Sequence, residues 1–342
     1  MIAPKQVPPH LWAIAETAYR NMLANKKDNA MLITGESGAG KTENTKKVIS
    51  YLAMVASGTS KGKSEKKVSL EDQIVATNPI LESYGNAKTA RNDNSSRFGK
   101  FIRIFFTASG KLAGCDIVSY LLEKSRITEQ QTVERSYHIF YQLLQPFGDS
   151  IVEGGLQEKC GLSSDIYDYI YVSQGKTKVE SIDDNEELEY TDDAFNVLGF
   201  SDQEKFGCYM LTAGVMSCGG IEYKTKGRDD QAECENIGPE TFPGKAAIAF
   251  QIDAFQMIKA FCKPRIKASM KTAIHLQRHE RMAVHYVFEL LDGRETKFSL
   301  AQDRVGQAQK SKGPGKTANL KKICGGRRAI CQMFYTSTIF EI

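Results

Sequence analysis

The chain has 342 residues, 41% of them hydrophobic and 25% charged, with a formal net charge of +4, which excludes a disordered or fibrous chain and fits a soluble globular protein of one large domain or two ordinary ones. No stretch approaches the roughly 20 consecutive apolar residues of a membrane span, and Met1-Ile2-Ala3-Pro4-Lys5 lacks the charged-then-apolar layout of a secretory signal, so no membrane partner is expected. Eight cysteines are scattered without a C-x-x-C pair, which points to reduced cytosolic thiols rather than a disulfide framework or a zinc site.

In chain order, Trp12–Leu23 reads as a helix leading into Met31-Leu32-Ile33-Thr34, a short apolar run suited to a buried strand. Gly35-Glu36-Ser37-Gly38-Ala39-Gly40-Lys41-Thr42 then matches G-x-x-x-x-G-K-[ST] in full, and Lys41–Ala56 follows with Val48, Ile49, Leu52 and Val55 at helical spacing. Strand, glycine-rich turn and helix together make an anion cradle. The glycines reach backbone angles closed to other residues, so successive N–H groups can face phosphate oxygens, and the helix adds its positive end. Lys41 is expected to reach the outer phosphates and the Thr42 hydroxyl to ligate Mg²⁺, which makes residues 35–42 a candidate nucleoside triphosphate site.

Residues 57–67 hold only small and charged side chains and read as a surface loop. A helix is expected over Leu70–Tyr84, kinked by Pro79 or split after Asn78. Phe98–Phe106 alternates as a strand, and Thr107–Lys111 turns it into a partner over Leu112–Leu121. Arg135–Leu144 reads as a helix stopped by Pro146. Residues 154–267 look mostly helical, with loops at Ser173–Lys176 and Lys224–Arg228, and Tyr167, Tyr169 and Tyr171 read as packing residues. Beyond Lys267 periodicity weakens. His275 and His279 stand at a metal-capable helical spacing with no third ligand nearby, so a solvated face is expected. Gly315-Lys316-Thr317 lacks the first glycine of the phosphate pattern. Residues 267–342 hold 14 Lys+Arg against 6 Asp+Glu, a surplus of +8 that leaves −4 on the rest; a solvated tail is expected there rather than a nucleic-acid surface.

Asn86-Ala87-Lys88-Thr89-Ala90-Arg91-Asn92-Asp93-Asn94-Ser95-Ser96-Arg97-Phe98 is, by composition, a polar loop between a helix and a strand. Beside a phosphate loop it gains meaning, because phosphoryl transfer is catalysed by positioning and electrostatic stabilisation and needs donors on the γ-phosphate side. Asn92, Ser95 and Ser96 offer amide and hydroxyl groups, a hydroxyl can complete a Mg²⁺ shell, and Arg97 can act as a latch. The stretches GESGAGKTEN (35–44) and NAKTARNDNSSRF (86–98) resemble the phosphate loop and first switch loop of myosin motor domains of the conventional, muscle-type class II. The resemblance continues through FGKFIRI (98–104), YLLEKSR (120–126), ERSYHIFYQ (134–142) and KPRIK (263–267).

That resemblance implies an α/β fold. It would be a partial P-loop NTPase-type myosin motor core, with a mixed central sheet flanked by helices and a largely helical second half. It makes residues 1–267 a partial motor domain, with the phosphate loop at 35–42, a variable surface loop at 57–67, switch I at 86–98 and much of the upper central region over 68–267. Residues 268–342 form a divergent basic segment with no domain assigned. The implied ligands are ATP and Mg²⁺, held by Gly35, Glu36, Ser37, Gly38, Ala39, Gly40, Lys41, Thr42, Asn92 and Ser95. Lys41 is expected on the β- and γ-phosphates, Thr42 and Ser96 on Mg²⁺, Asn92 and Ser95 by the phosphates with Ser95 near the attacking water, and Arg97 on a glutamate of the second switch loop. The implied partners are actin filaments and other myosin chains or fragments, in the cytoplasm, cytoskeleton and myofibril.

The sequence also departs from the pattern. The family's adenine-clasping segment and upstream β-barrel find no match, so the base side of the pocket is expected to be open. The second switch, Asp-Ile-Ala-Gly-Phe-Glu in the family, is met only by Phe340-Glu341-Ile342, with Thr336 and Ile339 where its aspartate and glycine stand. Glu341 is either a relic of the Arg97 partner or a coincidence. The lower actin-binding half, converter and lever are unmatched as well. Two readings follow: a fragment of an actin-based motor that keeps its phosphate contacts with weak or absent turnover, and a non-catalytic truncated product that binds nucleotide or a partner. A shifted reading frame or mis-joined exon near Lys267 accounts for the C-terminal segment in either case.

Overall fold

The structure, a computed structural model, describes residues 8–56, 70–226, 231–263, 298–301 and 340–341. Helix α1 (Leu11–Asn25) begins where the His10 side chain accepts the Trp12 N–H, and closes on Lys26, whose N–H donates to the Met22 carbonyl. It lies against α2 (Lys41–Ala56), which turns Val48, Ile49, Leu52, Ala53 and Ala56 inward at the period of one helix face. Burying Val48, Ile49 or Leu52 contributes about 1.5–3 kcal/mol each. Helix α3 (Leu70–Gly85) runs through Pro79 as one element and does not split after Asn78. Proline removes the N–H that would reach the carbonyl four residues back, which is that of Val75. The Asn78 side-chain amide donates to that carbonyl at 3.0 Å, so the acceptor is satisfied and the helix continues.

After α3 the chain forms a small hairpin of β1 (Asn86–Ala87) and β2 (Ser95–Ser96), antiparallel with Asn86 opposite Ser96. Strands β3 (Gly99–Phe106) and β4 (Leu112–Tyr120) pair antiparallel from Gly99↔Tyr120 to Phe106↔Leu112, with a bulge at Phe105/Phe106. Short helices follow: α4 (Ser125–Thr128), α5 (His138–Gln142), α6 (Gly148–Ile151), α7 (Leu156–Lys159) and α8 (Ile170–Ser173). Longer ones are α9 (Asp184–Val197) and α10 (Asp202–Cys218), the latter opened by a Ser201/Glu204 capping box. A hairpin of β5 (Lys224–Lys226) and β6 (Gln231–Glu233) precedes α11 (Phe242–Phe250) and α12 (Ala254–Cys262). Strands β7 (Phe298–Ala301) and β8 (Phe340–Glu341) complete a four-stranded sheet of order β7-β4-β3-β8, in which only β8 runs parallel to its neighbour.

Three expectations need correction. Met31–Thr34 is not a strand: among the described residues no segment pairs with it, and Leu32 is 67% exposed. An apolar run becomes a strand only when a neighbour takes its backbone groups. The helix expected over Arg135–Leu144 is confined to α5. The Arg135 N–H donates to the Lys88 carbonyl at 3.1 Å and Tyr137 bridges to Ala87, so the chain before His138 is drawn out along β1. The loop expected over Lys224–Arg228 begins as strand β5, with residues 227–230 outside the described residues. The 57–67 loop, His275, His279 and Gly315-Lys316-Thr317 also lie outside them.

Two apolar cores result. One joins α1, α2, α3 and the β3–β4 pair through Leu52, Ile74, Ile102 and Cys115. The other is helical and holds Tyr84, Tyr137, Phe140, Phe195 and Tyr209. Tyr169 and Tyr171 are buried in the second core, while Tyr167 is 70% exposed. Phe98 and Leu198 pack against both. Phe98 also closes on the end of α3, where a Cβ added to Gly85 would stand 2.4 Å from its ring. Replacing Gly85 by Ala is therefore expected to cost about 1–3 kcal/mol through overpacking, read as a lower urea midpoint at unchanged slope. An unchanged midpoint would mean that the ring moves aside freely.

Candidate functional site

The glycine-rich turn is built as its sequence requires. Gly38 and Gly40 both sit at φ +81°, in the left-handed region that favours glycine. A Cβ on Gly38 would face the Asn92 side chain at 3.8 Å, and one on Gly40 would meet nothing within 4 Å. Helix α2 starts directly afterwards, with the Asn44 N–H on the Gly40 carbonyl at 2.9 Å. The Lys41 ammonium folds along the loop and donates to the carbonyls of Gly35 at 2.7 Å and Glu36 at 2.6 Å.

Facing this turn is the β1–β2 hairpin. Its tip is closed by the Thr89 N–H donating to the Asn92 carbonyl at 2.8 Å, and by the Asn94 N–H donating to Asn92 Oδ1 at 3.1 Å, an Asx turn. Hydroxyls join the two loops. Ser37 Oγ lies 2.9 Å from Ser95 Oγ, and Thr42 Oγ1 lies 3.3 Å from Ser96 Oγ. Between the loops is a cleft of about 450 Å³, lined by Ser37, Gly38, Gly40, Lys41, Thr42, Asn92, Ser95, Ser96 and Arg97 of the residues predicted from sequence. Gly35, Glu36 and Ala39 do not line it. Gly35 and Glu36 act through their carbonyls on Lys41, and a Cβ on Gly35 would press on that of Ala39 at 3.1 Å. Four further wall residues were given no role from the sequence: Glu43, Asn86 and Asn94, which lie inside the two quoted motifs, and Glu82, which lies outside them.

The hairpin is held from behind by an ionic chain that sequence reasoning did not find. Arg126, 7% exposed, donates from Nε to Glu123 Oε2 and from Nη1 to Glu134 Oε2, both at 2.7 Å. Glu134 in turn accepts the Ala90 N–H at 3.1 Å, and Glu123 accepts Arg97 Nε at 2.7 Å. Arg97 Nη1 also donates to Ser95 Oγ at 3.1 Å. Burial opposes ionisation of Glu123, but Arg97 and Arg126 outweigh it and hold its carboxyl below the ordinary range. Glu134 is likewise held low against its burial by Arg126 and the Ala90 N–H. Arg97 thus pairs with Glu123, whereas Glu341 stands in register with Arg103. In the sequence Arg126, Glu123 and Glu134 lie within the stretches 120–126 and 134–142 quoted for the resemblance, with no role attached.

Further contacts fix the tip and wall. Asp93 pairs with Lys88 and accepts the Ser181 hydroxyl at 2.6 Å, and these two hold its carboxyl below the ordinary range. Asn94 joins Asn86, Glu82 and the His138 ring, the last at 3.3 Å. Lys46 bridges Glu43 at 3.0 Å and Glu82 at 2.8 Å. Burial works against the Lys46 charge, yet Glu82 and Glu43 raise its pKa above the ordinary value. Lys46 thus offsets one of the two carboxylate charges on the wall and reduces the negative field that a polyanion meets there.

A family model described as the myosin head, or motor domain, matches residues 3–288. The chain belongs to the myosin motor family. It is 50% identical over 267 residues to Myosin-3 of Caenorhabditis briggsae and, over the same length, to Myosin-3 of Caenorhabditis elegans, both muscle myosin heavy chains. Those 267 residues are 77% of this chain and 13% of either relative. Membership implies a P-loop NTPase-type fold; the family in general uses nucleotide and Mg²⁺ and is cytoskeletal. No helix among the described residues is long and apolar enough to cross a membrane.

The His138 ring, 4% exposed beside the β1–β2 hairpin, has its pKa pushed down to about 3, first by burial and then by the Arg135 charge. The unfolded chain, with the ordinary value of 6.5, takes up the proton first. Folding stability therefore falls as pH drops from 6.5 toward 3, by up to about 1.4 kcal/mol per unit. In His138→Gln the loss of unfolding free energy between pH 7 and pH 5 should shrink by about 2 kcal/mol, measured by urea titration at both pH values. An equal loss in the two proteins would contradict the burial argument.

Proposed function

We propose that this chain holds MgATP between Gly35–Thr42 and Asn86–Phe98, as the nucleotide-binding part of an actin-based motor. The observation that carries this reading is the approach of Ser37 to Ser95 and of Thr42 to Ser96 across a cleft walled by Lys41 and Asn92. The residues fit the group. Two hydroxyls 3.3 Å apart are the hard oxygen donors that Mg²⁺ takes, and the open turn at Gly40 leaves its backbone free to approach an anion. Thr42 and Ser96 would hold the metal, Lys41 the β- and γ-phosphates, and Asn92 and Ser95 the γ side, with Ser95 next to the attacking water. The main-chain donors of Gly35, Glu36, Ser37, Gly38, Ala39 and Gly40 would cradle the remaining oxygens. MgATP supplies the phosphoryl group whose hydrolysis drives movement in the family.

The same reading makes residues 1–267 the motor portion, with 57–67 as a surface loop beside the pocket and 268–342 as a separate segment. It takes a mixed central sheet flanked by helices as the frame of that portion. Actin filaments and other myosin chains are the proposed partners, and the myofibril the proposed location. Binding without turnover is the second reading. The Arg97–Glu123 pair favours it, because the latch that should close on a second switch is already engaged.

Fluorescent ATP should bind in the presence of Mg²⁺ and weaken about 10–100-fold in Lys41→Ala, the loss of charge-assisted hydrogen bonds worth about 1.5–3 kcal/mol. Identical curves for the two proteins would sink the assignment. Phosphate release above background from the unmodified chain would reject the second reading.

A further inference from the structure

We propose that Ser181 is a phosphorylation site for an acid-directed protein kinase, and that its modification loosens the nucleotide-facing hairpin; the second half of this inference rests on the nucleotide site proposed above. Ser181 is exposed, in the connection that precedes α9. Its hydroxyl donates to Asp93 Oδ2 at 2.6 Å across 88 residues of chain. Asp93 stands between Asn92 and Asn94, and both of those line the cleft. Ser181 is thus a surface hydroxyl one hydrogen bond away from the wall of the site.

The sequence that follows is Ser181-Ile182-Asp183-Asp184-Asn185-Glu186-Glu187. A kinase whose substrate groove is basic where it meets the residues after the target hydroxyl recognises carboxylates there by charge complementarity. Glu186 is exposed and available for this; Asp183 is exposed but its carboxylate caps α9, and Asp184 is engaged by Arg135 at 2.6 Å. In the reaction the Ser181 Oγ attacks the γ-phosphorus of ATP held by the kinase. The new O–P bond forms as the bridging β–γ P–O bond breaks, the hydroxyl proton passes to the kinase's base, and ADP leaves.

The consequence is electrostatic. The hydroxyl donates to a carboxylate; a phosphate close to a dianion cannot, and it sets its charge against Asp93. Asp183, which caps α9, adds a second carboxylate nearby in sequence. Lys88, now paired with Asp93, is drawn toward the phosphate instead. Both changes withdraw support from the hairpin tip at 88–94.

The chain would be incubated with an acid-directed kinase and ATP, the phosphate located by mass spectrometry, and amide hydrogen exchange compared before and after treatment. Phosphate is expected at Ser181, with exchange over residues 88–94 about tenfold faster. Ser181→Ala should take up no phosphate there, and its exchange over 88–94 should not respond to treatment. Absence of phosphate on Ser181, or phosphate there with unchanged exchange, overturns the proposal. Fluorescent ATP should bind the modified chain about tenfold more weakly. Should neither form bind it, the nucleotide assignment fails while the exchange comparison still decides this one.

Discussion

Both limbs of the 86–98 hairpin are tied, through two carboxylates, to one guanidinium. Arg126 holds Glu134, which fixes the Ala90 amide, and it holds Glu123, which fixes Arg97 and through it Ser95. Breaking the buried Arg126–Glu134 pair would cost about 3–5 kcal/mol, because the partner charge is left in a poorly hydrated place. The pairs through the more exposed Glu123 are screened by solvent and worth less. The hydroxyl contacts across the cleft are weaker and depend on this arrangement for their geometry. The phosphate loop needs less help, since its shape is set by local backbone angles and by the ammonium of Lys41 on its own carbonyls.

This division explains what the sequence made legible. The phosphate pattern encodes a local conformation, so eight consecutive residues were enough to locate the turn, and α2 begins and ends where its apolar spacing put it. The β3–β4 pair was readable for the same reason, as alternation and a Gly110 turn are short-range signals. Arg126, Glu123 and Glu134 were present only as part of a resemblance, with no role attached. The burial of Arg126 comes from parts of the chain packed around it, which no short pattern reports.

The failures have the same cause in reverse. Met31–Thr34 carries a strand signal, but pairing is supplied from elsewhere, and among the described residues nothing supplies it. The segment before His138 carries a helix signal, but β1 offers it backbone partners first. Helix α3 shows the opposite case. A proline that usually interrupts a helix is tolerated because the preceding asparagine takes over the vacated acceptor. In each instance a non-local or side-chain hydrogen bond settles a question that propensity leaves open.

The two apolar cores share Phe98 and Leu198, and the cleft opens beside that seam, since Phe98 follows directly on Arg97 of the cleft wall. A ligand seated there contacts groups anchored in both halves and adds its binding free energy to each. Calorimetrically, two units that melt apart when the cleft is empty should approach a single cooperative transition once it is filled. The seam would then set how independently the halves of the molecule breathe.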